Sequence, residues 1–180
     1  MNYPHVSAIL KPFVDYSEIP ADRLELARDR GIRLHAAFAS YALMVWSPKL
    51  PAKDRGYFDS FKRWFDQYVV KVHAVEKQLL DDAFGFIGTP DFIGELSMPA
   101  GTFLMTVVDW KTPLTPSRTW KAQANAYLHL AKKAGYPAQL SGILQPDPDG
   151  NIARMTWVKN EAKHFAAFVS ALNCHRYFQS

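Results

Sequence analysis

Apolar residues recur at helical spacing in two stretches near the start of the chain. Leu24, Leu26, Ile32, Leu34, Phe38, Tyr41 and Val45 form the first, and Phe58, Phe61, Trp64, Phe65 and Val69 the second, which predicts two amphipathic helices. Ile19-Pro20 precedes the first, and Ser47-Pro48-Lys49-Leu50-Pro51 separates the two. From Lys71 the period shortens. Residues 72–76, 84–88, 92–96 and 102–110 are short β-type runs parted by Asp, Gly and Pro, and they predict a meander of three strands. Ser117 is placed to cap a helix that runs through Trp120, Ala124, Tyr127, Leu128 and Ala131 and stops at Gly135, just before Pro137. Two further strands, 138–145 and 152–158, are joined through Asp149-Gly150, a strong turn signal, and a helix over about 160–174 closes the chain. The expected fold is α/β, a central mixed sheet of about five strands flanked by helices.

Composition narrows the class. At 180 residues the length predicts one domain over 1–180, with a helical part at about 20–70 and a sheet core at about 71–175. With 48% hydrophobic and 21% charged residues, disorder and low-complexity architectures are excluded. A net charge of +4 tolerates a polyanionic partner but is far from a histone-like tail. The one cysteine, Cys174, excludes an internal disulfide, a four-cysteine zinc site and a cysteine-ligated iron–sulfur cluster, and it suits a reducing compartment. The most apolar stretch, 36–46, is about half the length of a membrane span, and the opening residues lack a basic segment followed by an apolar core. A soluble, cytoplasmic protein that does not engage a membrane is therefore expected.

The segment Thr106-Val107-Val108-Asp109-Trp110-Lys111 carries the first chemical signal. Residues two apart on a strand share a face, so Asp109 and Lys111 project together while Trp110 turns away. Alone, such a triplet reads as a salt bridge at a strand end. The segment Gly88-Thr89-Pro90-Asp91-Phe92-Ile93-Gly94 adds an acid to a second apolar strand, and the turn between the two strands is centred near residue 100. A hairpin folded about that point sets Asp91 opposite Asp109, and two carboxylates that close require something positive between them. Oxygen ligands in this arrangement suit Mg²⁺ or Mn²⁺, with the backbone carbonyl of Trp110 and phosphate oxygens able to complete the shell.

Pro90-Asp91 with Asp109-Trp110-Lys111 resembles the motif of the PD-(D/E)XK nuclease superfamily. Three further elements are similar to its RecB-like exonuclease branch: Gly31-Ile32-Arg33-Leu34-His35 on an early helix, Gly88 to Gly94 around the first acid, and Gln123-Ala124-Asn125-Ala126-Tyr127 on the helix after the lysine strand. The resemblance implies a restriction-endonuclease-like core. It implies that Asp91 and Asp109 hold the metal, that His35 is an additional ligand, and that Lys111 orients or activates the attacking water. Gln123 and Tyr127, four apart on one helix face, would act around the site and the DNA. Glu76 falls where the branch often has an acid, and a solvated glutamate at a strand edge fits it equally well.

The activity so implied is a divalent-metal-dependent deoxyribonuclease, an exonuclease of recombination, repair or phage DNA processing, in a bacterial or phage-infected cell. A structure-selective, junction-resolvase-like endonuclease and a non-catalytic DNA-binding protein on the same fold are the alternatives. DNA ends or single strands would be the substrate. Lys62, Arg63, Arg118 and Lys121 would offer a cationic path to the metal, unless they are ordinary solvated charges. Related nucleases of CRISPR adaptation carry four cysteines around an iron–sulfur cluster, which a chain with one cysteine cannot hold. No phosphate-binding Gly-x-x-x-x-Gly-Lys loop is present in the sequence, so any helicase or recombination function would come from a partner protein.

Overall fold

The computed structural model describes residues 3–46, 48–113 and 115–179, so Ser47 of the proline-marked break lies outside the described residues. The fold is α/β. Helices α1 (Val6–Leu10), α2 (Ala21–Ala42) and α3 (Arg55–Tyr68) precede strand β1 (Val69–Val75). A small hairpin follows, β2 (Leu79–Asp81) and β3 (Phe86–Gly88), and then β4 (Phe92–Ser97) and β5 (Phe103–Trp110). Helix α4 (Thr119–Lys133) crosses to β6 (Leu140–Gln145), which leads to β7 (Arg154–Trp157) and a last helix, α5 (Glu161–Gln179). The central sheet has the order β1-β4-β5-β6-β7; β5 and β6 are parallel and every other pair in it is antiparallel. A parallel pair needs a long crossover, and α4 is that crossover.

Alternation along the strands divides the core into two layers. Ile93, Met105 and Val107 face one side, where they pack with Leu128 and Leu130 of α4, Phe168 and Leu172 of α5, and α1. Phe92, Leu96, Val108 and Trp110 face the other, against Phe38 of α2 and Phe61, Trp64 and Phe65 of α3. This second layer is largely aromatic: Phe38 stacks on Phe61 at 4.3 Å between centroids, and both present their faces or edges to Trp110 at 5.6 and 5.2 Å. Such rings bury large apolar area and lock one another by geometry. The sheet is thus covered on both faces.

The expected meander is present as β1-β4-β5, and the run 84–88 is not part of it. Phe86–Gly88 pairs with Leu79–Asp81 in a separate hairpin inserted between the first two strands of the meander. The N-terminal segment adds to this hairpin through a bridge between His5 and Ile87. Among the periodic residues of the first helix, Leu34 and Phe38 are buried, while Leu26 and Ile32 stay more than half exposed. They lie on the helix side turned from the sheet, which regular spacing alone does not distinguish. Among the described residues no helix is long and apolar enough to cross a membrane.

Glycine is a packing requirement at some positions and not at others. At Gly56, in the first turn of α3, a Cβ would lie 1.7 Å from the Pro148 carbonyl oxygen in the turn between β6 and β7. At Gly31, in mid-helix, a Cβ would meet only Thr112 Oγ1, at an ordinary 3.7 Å. Gly56→Ala should therefore destabilise the chain by about 1–3 kcal/mol through overpacking. Gly31→Ala should stabilise it by roughly 0.5–1 kcal/mol through helix propensity. Thermal melting of the two variants tests this, and shifts of the same sign would contradict it.

Candidate functional site

Strands β4 and β5 pair in register from Ser97↔Phe103 to Phe92↔Val108, and one further step along this ladder sets Asp91 opposite Asp109. Both carboxylates are buried, at 6% and 2% exposure. Their surroundings differ. Asp91 Oδ2 accepts the backbone N–H of Trp110 at 2.6 Å, which ties the acid of one strand to the backbone of the other. Asp109 Oδ2 lies 2.9 Å from the Lys111 ammonium, an ion pair outside hydrogen-bond alignment. The alternation expected at this strand end holds: Asp109 and Lys111 meet on one face, while the Trp110 indole is buried among Phe38 and Phe61 on the other.

Helix α2 brings in His35. Its Nδ1 lies 3.2 Å from Asp91 Oδ1 and 3.8 Å from Glu76 Oε1, and its ring stands edge-on to Trp110 at 5.9 Å. Glu76 follows the last residue of β1 with φ at +50°, a conformation that L residues rarely adopt, and its N–H donates to the Asp91 carbonyl at 3.1 Å. The left-handed turn ends the strand and leaves the glutamate beside the histidine. One ligand atom each from His35, Glu76 and Asp91 lies within 4.8 Å of the others. Glu76 is the residue that sequence reasoning left undecided. Its place depends on the pairing of β1 with β4, whose register shifts twice along the ladder and which no local pattern reveals.

Helix α4 supplies the remaining contacts. Lys111 Nζ donates to Gln123 Oε1 at 3.1 Å, and Gln123 Nε2 donates to the Tyr127 hydroxyl at 3.0 Å. Tyr127 is buried and its ring fills the space over Gly88, where a Cβ would lie 2.8 Å from it. Gly94 is likewise demanded by packing, since a Cβ there would sit 2.5 Å from the Lys71 carbonyl oxygen. The structure thus joins His35, Asp91, Asp109, Lys111, Gln123 and Tyr127, with the backbone of Trp110, in one contiguous region. Of the expected cationic path, Lys62 pairs with Asp59 at 2.9 Å and covers the Phe58 ring, while Arg63, Arg118 and Lys121 are exposed. Glu95 is engaged by His73 at 2.7 Å, and His129 by the buried Asp81 at 2.6 Å.

The electrostatics show a site short of positive charge. Burial, then the Asp91 charge, push the Asp109 carboxyl up to about 7 against the opposing pull of Lys111. For Asp91 burial acts in the same upward sense, yet His35, Lys111 and the Trp110 N–H together hold it below the usual carboxylate range. Burial pulls the His35 imidazolium down, but the attraction of Asp91 and Glu76 outweighs it and pushes the value up to about 10. Burial also pushes the Tyr127 phenol up, so it is a neutral hydrogen-bonding group. One imidazole nitrogen and two carboxylates in reach of one another form a donor set that fits a hard divalent cation, and the Asp109 carboxylate, which is not part of that group, lies against Lys111.

No family model and no curated protein matches the chain. Among solved structures it is similar to a provisionally named exonuclease from Eubacterium rectale, seen in a crystal structure, with a TM-score of 0.55 and 12% identity over 97% of this chain and 78% of that one. At this identity the likeness is one of fold.

The raised value of His35 fixes the sign of a pH effect in chelator. The imidazolium contributes stability in full below its ordinary 6.5, and this is lost as the pH rises through the folded value of about 10. In EDTA the melting temperature should therefore fall between those limits, and His35→Gln should flatten the profile there. An unchanged slope in the variant would show that the His35–Asp91 pair is not its source.

Proposed function

We propose that this chain is a divalent-metal-dependent deoxyribonuclease that hydrolyses phosphodiester bonds from DNA ends. The observation that carries the reading is the opposition of Asp91 and Asp109 at one end of the sheet, with Lys111 on the Asp109 side and His35 and Glu76 on the Asp91 side. Asp91, Asp109, His35 and Glu76, with the Trp110 carbonyl, would hold Mg²⁺ or Mn²⁺. When bound, such a cation supplies Lewis-acid polarisation of the scissile phosphate and lowers the pKa of water. The fold shared with a chain named as an exonuclease is in keeping with this reading.

The protein's own groups then have distinct tasks. Lys111 is held between Asp109, through an ion pair, and Gln123, through a hydrogen bond, so its ammonium keeps N–H donors for a water or phosphate oxygen. A fixed ammonium beside developing phosphate charge stabilises the transition state without reorganising as the reaction proceeds. Gln123 and Tyr127 are positioning residues: Tyr127, locked in the core, orients the Gln123 amide, and the amide orients Lys111. Asp91 has a structural duty besides, because it satisfies the Trp110 N–H.

Two outcomes test the assignment. Asp91→Asn and Asp109→Asn should each abolish Mn²⁺ binding by calorimetry and cleavage of linear DNA while the chain stays folded. Asp91→Ala should also lose about 1–3 kcal/mol of stability, because a buried N–H is left without an acceptor. Undiminished Mn²⁺ binding in both Asn variants would refute the metal assignment. Lys111→Ala should lower kcat by about 10²–10⁴-fold with little change in DNA affinity, since one phosphate contact among several is a small part of binding. Linear strands should be degraded progressively while covalently closed circles survive, and rapid nicking or linearisation of circles would show an endonuclease instead.

A further inference from the structure

The row of side chains that contains Lys111 continues across the sheet. Strands β5 and β6 pair in parallel up to Trp110↔Leu144, and the Lys111 N–H donates to the Leu144 carbonyl at 2.8 Å, so one further step along the ladder sets Gln145 beside Lys111. Strand β7 then places Arg154 opposite Gln145. Leu144 and Met155 belong to the aromatic layer under α2 and α3. Gln145 and Arg154, one residue away on each strand, therefore lie on the other face, the one that carries Asp109 and Lys111.

Arg154 is held unlike other arginines of this chain. Arg28 is paired with Glu25 and Asp29, and Arg33 with the buried Asp54. Arg154 instead donates from Nη2 to the neutral Gln145 Oε1 at 2.6 Å, and among the described residues no carboxylate pairs with it. Gln145 is itself fixed: it is 8% exposed, and its Nε2 donates at 3.0 Å to the carbonyl of Pro113, two residues beyond Lys111. A buried amide thus sets the direction of an exposed guanidinium without neutralising it. The rigid fork has five N–H donors, so most remain for an anion from outside.

We infer that Arg154 binds a backbone phosphate of the DNA substrate beside the one being hydrolysed. The inference rests on the nuclease reading and adds a subsite to it. Strands stand about 4.8 Å apart, which puts β7 roughly 10 Å from β5. A DNA strand carries a phosphate every ~3.4 Å of helix axis, so the phosphate at Arg154 lies within about three linkages of the one at Lys111. The two ends of the row have different work. Lys111 is offset by Asp109 and acts where charge develops, whereas Arg154 keeps its full charge and meets a phosphate that does not change during the reaction. Its contact is the same in ground and transition states and serves binding alone.

Fluorescence anisotropy with a labelled linear DNA in EDTA, over a series of salt concentrations, tests the inference alongside steady-state cleavage in Mn²⁺. Arg154→Ala should reduce the slope of log affinity against log salt by about one and weaken binding about three- to tenfold. In cleavage it should raise KM by a similar factor with kcat within about twofold, the reverse of the pattern expected for Lys111→Ala. Lys132→Ala, which removes an equal charge from the pair with Glu161, should change neither slope nor KM. An unchanged salt slope in Arg154→Ala, an equal loss in Lys132→Ala, a fall in kcat with KM unaltered, or no DNA binding by the unaltered chain would overturn the subsite. Cleavage with a KM indifferent to Arg154 would remove the subsite and leave the nuclease reading standing. DNA binding that depends on Arg154, in a chain that cleaves nothing in Mn²⁺, would keep the phosphate contact and remove the nuclease reading.

Discussion

Two carboxylates placed side by side at the buried end of a sheet repel each other, and the rest of this structure is arranged around that repulsion. Asp91 and Asp109 occupy such a position because the β4–β5 register puts them there. Neither can relax into water: aromatic rings of α2 and α3 seal one face of the sheet and α4 covers the other. Compensation comes from three groups, the Trp110 N–H and the Lys111 ammonium at the end of β5 and the His35 imidazolium on α2. The compensation is incomplete, as the raised Asp109 carboxyl shows. A buried charge that is only partly neutralised is a destabilising feature in an ordinary core, and the proposed function gives it a reason, since a bound cation would supply the missing charge.

The parts of this arrangement that were legible in the chain are those set by local rules. Alternation placed Asp109 and Lys111 on one face, and a turn centred near residue 100 gave a register that agrees with the ladder, whose last pair, Phe92↔Val108, stops one step short of Asp91 and Asp109. Turn chemistry located the end of α4, where Gly135 adopts the left-handed φ of +88°, and the bend before β7, where Gly150 has φ of +79°; at the start of α4 the capping position is Arg118, one residue past the expected Ser117, whose hydroxyl accepts the Thr119 N–H at 3.2 Å. What was not legible depends on tertiary packing. The run at 84–88 has strand character but pairs with β2, because which strands meet is decided by the layers above and below and not by the run itself. The exposed half of the first apolar periodicity, Leu26 and Ile32, looked like core for the same reason.

Packing also divides the glycines that flank the acids. Gly88 and Gly94 are fixed by Tyr127 and by the Lys71 backbone, so their place beside Asp91 is explained by the fold without any appeal to chemistry. Gly31, beside His35 on α2, has no such constraint. Similar-looking spacings therefore arise from different causes, and only the structure distinguishes a glycine that lets elements approach from one that leaves a surface bare.

The backbone at Glu76 bears on how this protein can change. A left-handed conformation at a residue other than glycine costs on the order of 1 kcal/mol, and glycine or asparagine would hold the same turn more comfortably. Selection or engineering for thermal resistance alone would therefore favour losing the glutamate, and with it the carboxylate that faces His35. Persistence of an acid at this position, among chains that share the fold, would mark those that have kept their chemistry, and its replacement by glycine or asparagine those in which the scaffold has outlived it.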